Sequence, residues 1–270
     1  MTIIDFFAKY IKPFKFSGTG MLNPADTGQI TKRLWAVRQY DVNMWLYKTD
    51  DGYLAVDSGY IDYPNPEKKI KDLGIDPDEV KWVFLTHADC DHAGGIAEGG
   101  PGLFKNAVIY LLDKEEDMIL GKEIRFVRGP FKIKNPIKRT TGYRLLKDHE
   151  TVKAGNTEVE ILHVPGHTKG HSVYLIDGNL LFSGDSLAVN QEGGWCFFHF
   201  FNMDTKANQR SLYTLKEFVE KKRPEMVCTG HSGYTTDVDH LFDHMETPAR
   251  GTKRKPFDAA APYNSFKEEQ

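Results

Sequence analysis

The sequence predicts an α/β protein built from short buried strands whose ends carry polar, glycine-containing loops. Three observations lead there. Apolar runs such as Val42–Tyr47, Tyr53–Val56 and Met226–Cys228 are too short for helices and are bounded by turn residues. Helical segments at 66–73, 114–120 and 206–222 are interleaved with them. The order of strands and helices also recurs roughly twice, although no residue-level repeat is visible.

The segment Ile3–Ile11 is apolar but broken by Asp5 and Lys9, and reads as a packed amphipathic helix. It lacks a basic leader and a small-residue cleavage site, so a signal peptide is not expected. Residues 12–31, rich in Gly, Pro, Ser, Thr and Asn, read as irregular connection. Asp51-Gly52 between two apolar runs signals a hairpin, as does Asp177-Gly178 between Ser172–Ile176 and Asn179–Phe182. Pro66 opens a helix that Gly74 stops, and Pro77 to Val80 turns the chain into strand Lys81–Leu85. Strand Ala107–Leu112, the acidic helix Lys114–Leu120, strand Thr157–Val164 and helix 206–222, halted by Pro224, follow. Three parts are expected: an N-terminal helix and irregular segment over 1–34, one domain over 35–247, and a polar tail over 248–270. That tail is read as free or as an arm onto a partner subunit, which leaves room for a homodimer.

The chain has 270 residues, 40% hydrophobic and 27% charged, with a net charge of −3. That balance gives no argument for a nucleic-acid partner or a membrane surface, and no stretch approaches a membrane span. Charge is unevenly placed. Residues 122–147 carry nine basic side chains against Glu123 alone. Little periodicity and two prolines, Pro130 and Pro136, mark that segment as an inserted loop or lid. A charge run of this kind reads first as a solvated or oligomer-contacting surface, and second as an attractor of anionic substrate. Cys90, Cys196 and Cys228 are widely spaced and odd in number, which suits a reducing cytoplasm better than a disulfide framework.

The densest chemistry lies in Thr86-His87-Ala88-Asp89-Cys90-Asp91-His92-Ala93-Gly94-Gly95, directly after the apolar run Val83-Phe84-Leu85. Neither a helix nor a strand would point all four His and Asp side chains one way, whereas a tight loop at a strand end can. Two imidazoles and two carboxylates suit a pair of divalent ions with positions open to water and substrate. Three further strand ends present ligand-type residues directly after a glycine: His167 in Pro165-Gly166-His167, Asp185 in Ser183-Gly184-Asp185, and His231 in Thr229-Gly230-His231. The glycine lets the backbone turn sharply and aim the next side chain off the sheet.

With these motifs in order, preceded by Val56-Asp57-Ser58-Gly59, the chain resembles the metallo-β-lactamase superfamily from about Trp35 to Tyr234. The resemblance implies an αββα sandwich with a dinuclear site at one edge, between two similar halves. It implies that His87, Asp89 and His167 hold one ion, that Asp91, His92 and His231 hold the other, and that Asp185 bridges them. It makes Asp57 and His171 residues behind the ligands, with turn capping an equal reading of Asp57. One position departs from the commoner pattern, which has histidine where this chain has Asp89. A third carboxylate makes the site richer in negative charge and in hard oxygen donors, so iron or manganese becomes credible beside zinc, the first expectation.

His163 is read as packing inside the sandwich, and His149, His240 and His244 as solvated. Cys90 is read as a small filler rather than a ligand. The aromatic run Trp195-Cys196-Phe197-Phe198-His199-Phe200-Phe201 is either core or the lining of an apolar pocket, with Trp195, Phe197, Phe198 and His199 as candidate substrate contacts. Within the superfamily, spacing and length look nearest to the lactonase and thioesterase-like members, so the resemblance implies a metal-dependent hydrolase of a small molecule: hydroxide from a bridging water attacks an ester, lactone or thioester carbonyl, with Asp91 handling the proton. Phosphodiester cleavage is the next reading, through the basic insert. A di-iron redox or sensor protein reacting with oxygen or nitric oxide is another, through Asp89.

Overall fold

The computed structural model of the chain describes residues 24–128 and 131–249. The helix expected at 3–11 and nearly all of the tail expected from 248 lie outside them.

The first half contributes strands β1 (Gly28–Thr31), β2 (Leu34–Gln39), β3 (Val42–Thr49), β4 (Gly52–Val56), β5 (Val80–Phe84) and β6 (Val108–Leu112), with helices α1 (Pro66–Lys71) and α2 (Glu116–Ile119). The basic segment then supplies β7 (Ile124–Arg128), β8 (Phe131–Lys134) and β9 (Tyr143–Leu146). β9 joins the first half in a seven-stranded sheet of order β1-β2-β3-β4-β5-β6-β9, while among the described residues β7 and β8 pair only with each other. The second half holds β10 (Thr151–Ala154), β11 (Thr157–His163), β12 (Ser172–Ile176), β13 (Leu180–Gly184), β14 (Leu187–Asn190), β15 (Gly193–Cys196), helix α3 (Thr205–Lys222), β16 (Met226–Thr229), β17 (Tyr234–Thr235) and β18 (His244–Pro248). Six of these strands form a second sheet, β10-β11-β12-β13-β16-β17, and β14-β15-β18 form a small third one.

Strand alternation sorts the side chains into layers. On β3, Trp45 and Tyr47 enter a core shared with Val159, Ile161, Tyr174 and Phe182 of the second sheet. Met44 and Leu46 face the opposite side, against Ile70 of α1 and Met118 and Ile119 of α2. The outer face of the second sheet is covered by Leu212, Leu215, Phe218 and Val219 of α3. This is the α/β sandwich expected, with two sheets inside and helices outside. α3 is begun by Asp204, whose side chain accepts from the Ala207 amide, and ends at Arg223 in a left-handed conformation.

Parallel pairing explains where the site lies. β4 pairs in parallel with β5, and β13 with β16, so within each pair the carboxyl ends emerge at the same edge. Asp57 follows β4, His87 follows β5, Asp185 follows β13 and His231 follows soon after β16.

Two expectations are corrected. The basic segment is not an irregular loop: it forms the β7–β8 hairpin and then an edge strand of the main sheet. Part of the stretch expected to be irregular connection is β1, which pairs with β2. Both regions are rich in residues that punctuate structure, and their strands are held by partners rather than by local pattern.

Candidate metal centre

The loop after β5 is anchored by Asp57, whose own backbone sits at φ +63°. Asp57 Oδ1 accepts from the Thr86 amide at 2.8 Å, and its carboxylate accepts from the Thr86 hydroxyl. Because that hydroxyl donates to Asp57, it is left to accept from His87 Nδ1, 3.0 Å away. Asp57 Oδ2 also accepts from His92 Nδ1 at 2.8 Å. His231 Nδ1 donates to the Asp41 carbonyl at 2.5 Å, and His167 Nδ1 to Asn202 Oδ1 at 3.2 Å. Each ring thus spends Nδ1–H on a fixed oxygen, which assigns the tautomer that leaves a lone pair on Nε2.

Those nitrogens converge on Asp185. Its Oδ2 lies 3.4 Å from His167 Nε2 and 3.2 Å from His231 Nε2, and its Oδ1 lies 3.5 Å from His92 Nε2. Two buried groups result, each with ligand atoms within 4.8 Å of one another: His87, His167 and Asp185, and Asp91, His92 and His231. His87 Nε2 and Asp185 Oδ1 are buried and make no hydrogen bond. Leaving such atoms unsatisfied is costly. Mixed imidazole and carboxylate donors, oriented from behind and with His87 Nε2 and Asp185 Oδ1 left unsatisfied, fit divalent ions.

Glycine makes the convergence possible for two reasons. Gly166 and Gly184 sit at φ +139° and +50°, the turn expected of them. Gly230 is needed for space instead, since a Cβ there would strike Asp185 Oδ1 and the His92 ring.

Asp89 stands beside the first group, its Oδ2 3.2 Å from His167 Nε2 and 3.5 Å from His87 Nε2. Its carboxylate is gripped side-on by Arg125 of β7, with Nε 2.5 Å from Oδ1 and Nη2 2.7 Å from Oδ2. The same Nη2 lies 3.1 Å from His167 Nε2 and donates to the Phe201 carbonyl at 2.8 Å. The Arg125 side chain is 4% exposed, which places one guanidinium of the basic segment inside the site.

Electrostatics follow from burial and these partners. Burial pushes the Asp89 carboxyl up, but Arg125, His167 and His87 together outweigh it and hold the group well below the usual carboxylate range. Burial also opposes ionisation of Asp185, where His231, His92 and His167 prevail and hold it low. His167 is pushed down to about 4, by burial first and then by Arg125 and His87. His92 goes the other way, because Asp185 and Asp57 overcome its burial.

The sequence pattern of the metallo-β-lactamase superfamily matches residues 37–231, a span that includes every one of these ligands. The chain belongs to the metallo-β-lactamase superfamily. Among curated relatives it is 28% identical over 167 residues to an N-acyl homoserine lactonase of Bacillus thuringiensis, covering 60% of each chain. It is 30% identical over 155 residues to the hydroxyacylglutathione hydrolase of Shewanella loihica, covering 54% of this chain and 48% of that one. The matched region thus spans about 60% or less of the length of these relatives. A B3 metallo-β-lactamase characterised as having an active-site glutamic acid superposes with a TM-score of 0.61, at 15% identity, over 90% of this chain and 96% of that one. At that identity the likeness carries the fold alone.

Within this superfamily member, the other expected site residues are placed unevenly. His171 stands behind the ligands, its Nε2 accepting from the Asp185 amide at 3.0 Å. The Phe197 ring lies 4.9 Å from that of His167 and 5.9 Å from that of His231, and Phe198 packs edge-on behind it. Trp195 instead stacks on His244 at 4.1 Å, and the exposed His199 bonds Thr205 through Nδ1. His163 is partly buried and bonds the Lys169 carbonyl.

Three residues escaped the sequence reading. Glu115, fully buried, accepts from the Ala88 amide through Oε1 and from Thr168 Oγ1 and the Gly170 amide through Oε2. It ties the loop of His87 to the loop of His167. Asn135 donates to the Ala88 carbonyl at 2.5 Å. Arg125 is the third. None carries a local signal, because each looks like one more polar residue in a charged stretch.

Proposed function

We propose that this protein is a metal-dependent hydrolase that cleaves an ester, lactone or thioester bond of a small molecule. The observation that carries the reading is the meeting of two buried donor groups at Asp185, with unsatisfied His87 Nε2 and Asp185 Oδ1 facing inward. His87, His167 and Asp185 would hold one ion, and Asp91, His92 and His231 the other, shared through Asp185. Zinc suits this donor set. The third carboxylate that made iron credible, Asp89, is charge-compensated by Arg125, so the argument for harder metals loses its basis. Bound ions supply a water acidified towards neutral pH and polarise the scissile carbonyl.

The chain's own residues do the rest. Asp57 and the Asp41 carbonyl fix the His92 and His231 rings, so the donors are aligned before substrate arrives. The Asp91 carboxylate, whose side chain is 12% exposed, takes the proton of the attacking water and returns it to the leaving oxygen or sulfur. Phe197 and Phe198 give the His167 side of the site an apolar wall, suited to an acyl group. The names of the lactonase and thioester-hydrolase relatives support the same bond classes.

The test is a panel on the zinc-loaded protein: an N-acyl homoserine lactone, an S-acyl glutathione, p-nitrophenyl acetate, bis-p-nitrophenyl phosphate and a cephalosporin. Turnover of the lactone or thioester that chelation abolishes is the expected result. Turnover confined to the phosphodiester, or turnover indifferent to chelator, overturns it.

A further inference from the structure

We propose that Arg125 competes with the ion of the His87–His167–Asp185 pocket, so that the two pockets fill in order and with unequal affinity. This rests on the reading of the site as ion-binding, though not on which bond is cleaved.

The decisive contact is at His167. With Nδ1–H committed to Asn202, Nε2 has a single lone pair, and Arg125 Nη2 lies 3.1 Å from it. The two Nη2 hydrogens are shared among Asp89 Oδ2, the Phe201 carbonyl and this nitrogen, and a positive guanidinium that close to Nε2 opposes an ion coming to the same atom. Arg125 is held there by four contacts, two of them to the carboxylate that superfamily resemblance assigns to the same ion. Its charge is permanent, so it cannot make way by losing a proton. The ion must therefore displace a buried, fork-on-carboxylate pair or accept a site short of one ligand beside a like charge. Nη1, by contrast, is buried without a hydrogen bond. The guanidinium is thus imperfectly satisfied where it sits, which makes withdrawal costly rather than forbidden.

The other pocket is built differently. His92 Nε2 and His231 Nε2 lie 3.4 Å apart, each with Nδ1 already engaged by an oxygen. Two lone pairs at that distance repel unless a cation or proton lies between them. Both imidazoles of this pocket are thus already oriented towards a shared ion.

Arg125 comes from the β7–β8 hairpin, which pairs with neither main sheet. Its exit moves a two-stranded flap rather than a core strand. The basic segment therefore has a role distinct from a solvated surface: one of its nine cations reports on, and opposes, occupancy of the first pocket.

The experiment is a calorimetric zinc titration of the full-length protein stripped of metal by chelation and dialysis, on wild type and R125Q. Wild type is expected to bind one tight equivalent and a second weaker by at least about tenfold, the factor that a charged hydrogen bond of roughly 1.5–3 kcal/mol implies. R125Q is expected to strengthen the weak equivalent by a similar factor and leave the tight one unchanged. Two equivalents of indistinguishable affinity in wild type, or a weak equivalent that R125Q does not move, overturn the proposal. Should R125Q fail to fold, the arginine Nε–H resonances of wild type give the answer. A buried one is expected to persist through the first equivalent and shift or vanish with the second, and a change with the first overturns the proposal. Substrate turnover enters neither readout, so an inactive chain with ordered filling sinks only the function proposed above. A chain that binds no zinc sinks both.

Discussion

The two donor groups share Asp185, yet they are oriented by different kinds of partner. In the His92–His231 group, Nδ1 atoms rest on a carboxylate at the end of β4 and on a backbone carbonyl between β2 and β3. Both belong to the tightly packed first sheet. In the His87–His167 group, Nδ1 atoms rest on the hydroxyl of Thr86 and the side-chain amide of Asn202, and a guanidinium from a separate hairpin faces them. One group is held by sheet scaffold, the other by side chains that are themselves held. The difference teaches that a dinuclear ligand set need not behave as two equal sites: orientation and competing charge set affinity as much as ligand identity does.

The largest effect should come from the residue common to both groups. Asp185→Asn is expected to weaken both equivalents in a zinc titration by more than about a hundredfold, since removing a ligand costs more than removing a ligand's support. Loss confined to one equivalent would show that the groups do not meet at Asp185. Next, Asp57→Asn should separate them. It removes the acceptor of His92 Nδ1 directly and acts on His87 only through Thr86. The tight equivalent is expected to weaken by about 10–100-fold and the weak one by less. Equal weakening would mean that Asp57 supports the loop as a whole rather than one ring.

The metal-free protein should carry the same asymmetry in its response to acid. His167, held down to about 4 by burial, Arg125 and His87, stays neutral in the folded chain while the unfolded chain takes up a proton near pH 6.5. Between those values the unfolded state binds more protons, so stability falls as pH falls, by about 3 kcal/mol across the window. His171, pushed well down by burial and then by His87 and His167, adds in the same direction. His92 is raised, so below pH 6.5 it is protonated in both states and adds no slope there. Asp89 and Asp185, both depressed, lose their stabilising share only below about pH 4. Urea melts in chelator at pH 7, 5.5 and 4.5 measure this. Unchanged stability from 7 to 4.5 would mean that His167 is open to solvent.

Much of the site was readable before any coordinates because its ligands sit where sequence signals are strongest. His167, Asp185 and His231 each follow an apolar run and a glycine; the strands before Asp185 and His231 are aligned by parallel pairing, while β11 before His167 pairs antiparallel with its neighbours. Arg125 was not readable: one of nine cations in a segment without periodicity, it is singled out by a hairpin whose strands, among the described residues, pair only with each other. The same blindness split the aromatic run. Phe197 faces the ligand rings, while Trp195, two residues earlier on β15, points to His244. Side-chain direction there depends on pairing with β14 and β18, which no local pattern announces.

Glu115 tests whether the loops of His87 and His167, which meet in the first group, are kept in register by geometry or by charge. Its carboxylate accepts from both metal-bearing loops, and burial pushes its pKa up, so ionisation there is paid for in the folded state. Glu115→Gln keeps one oxygen, able to serve Thr168 and Gly170, and turns an NH2 donor towards the Ala88 amide. The lost acceptor costs roughly 1–3 kcal/mol, and removing a buried charge returns part of that. The net loss in a urea melt is expected near the low end, about 1 kcal/mol, with zinc stoichiometry unchanged. A loss well above about 3 kcal/mol, or release of one equivalent of zinc, would mean that the negative charge itself holds the two loops together.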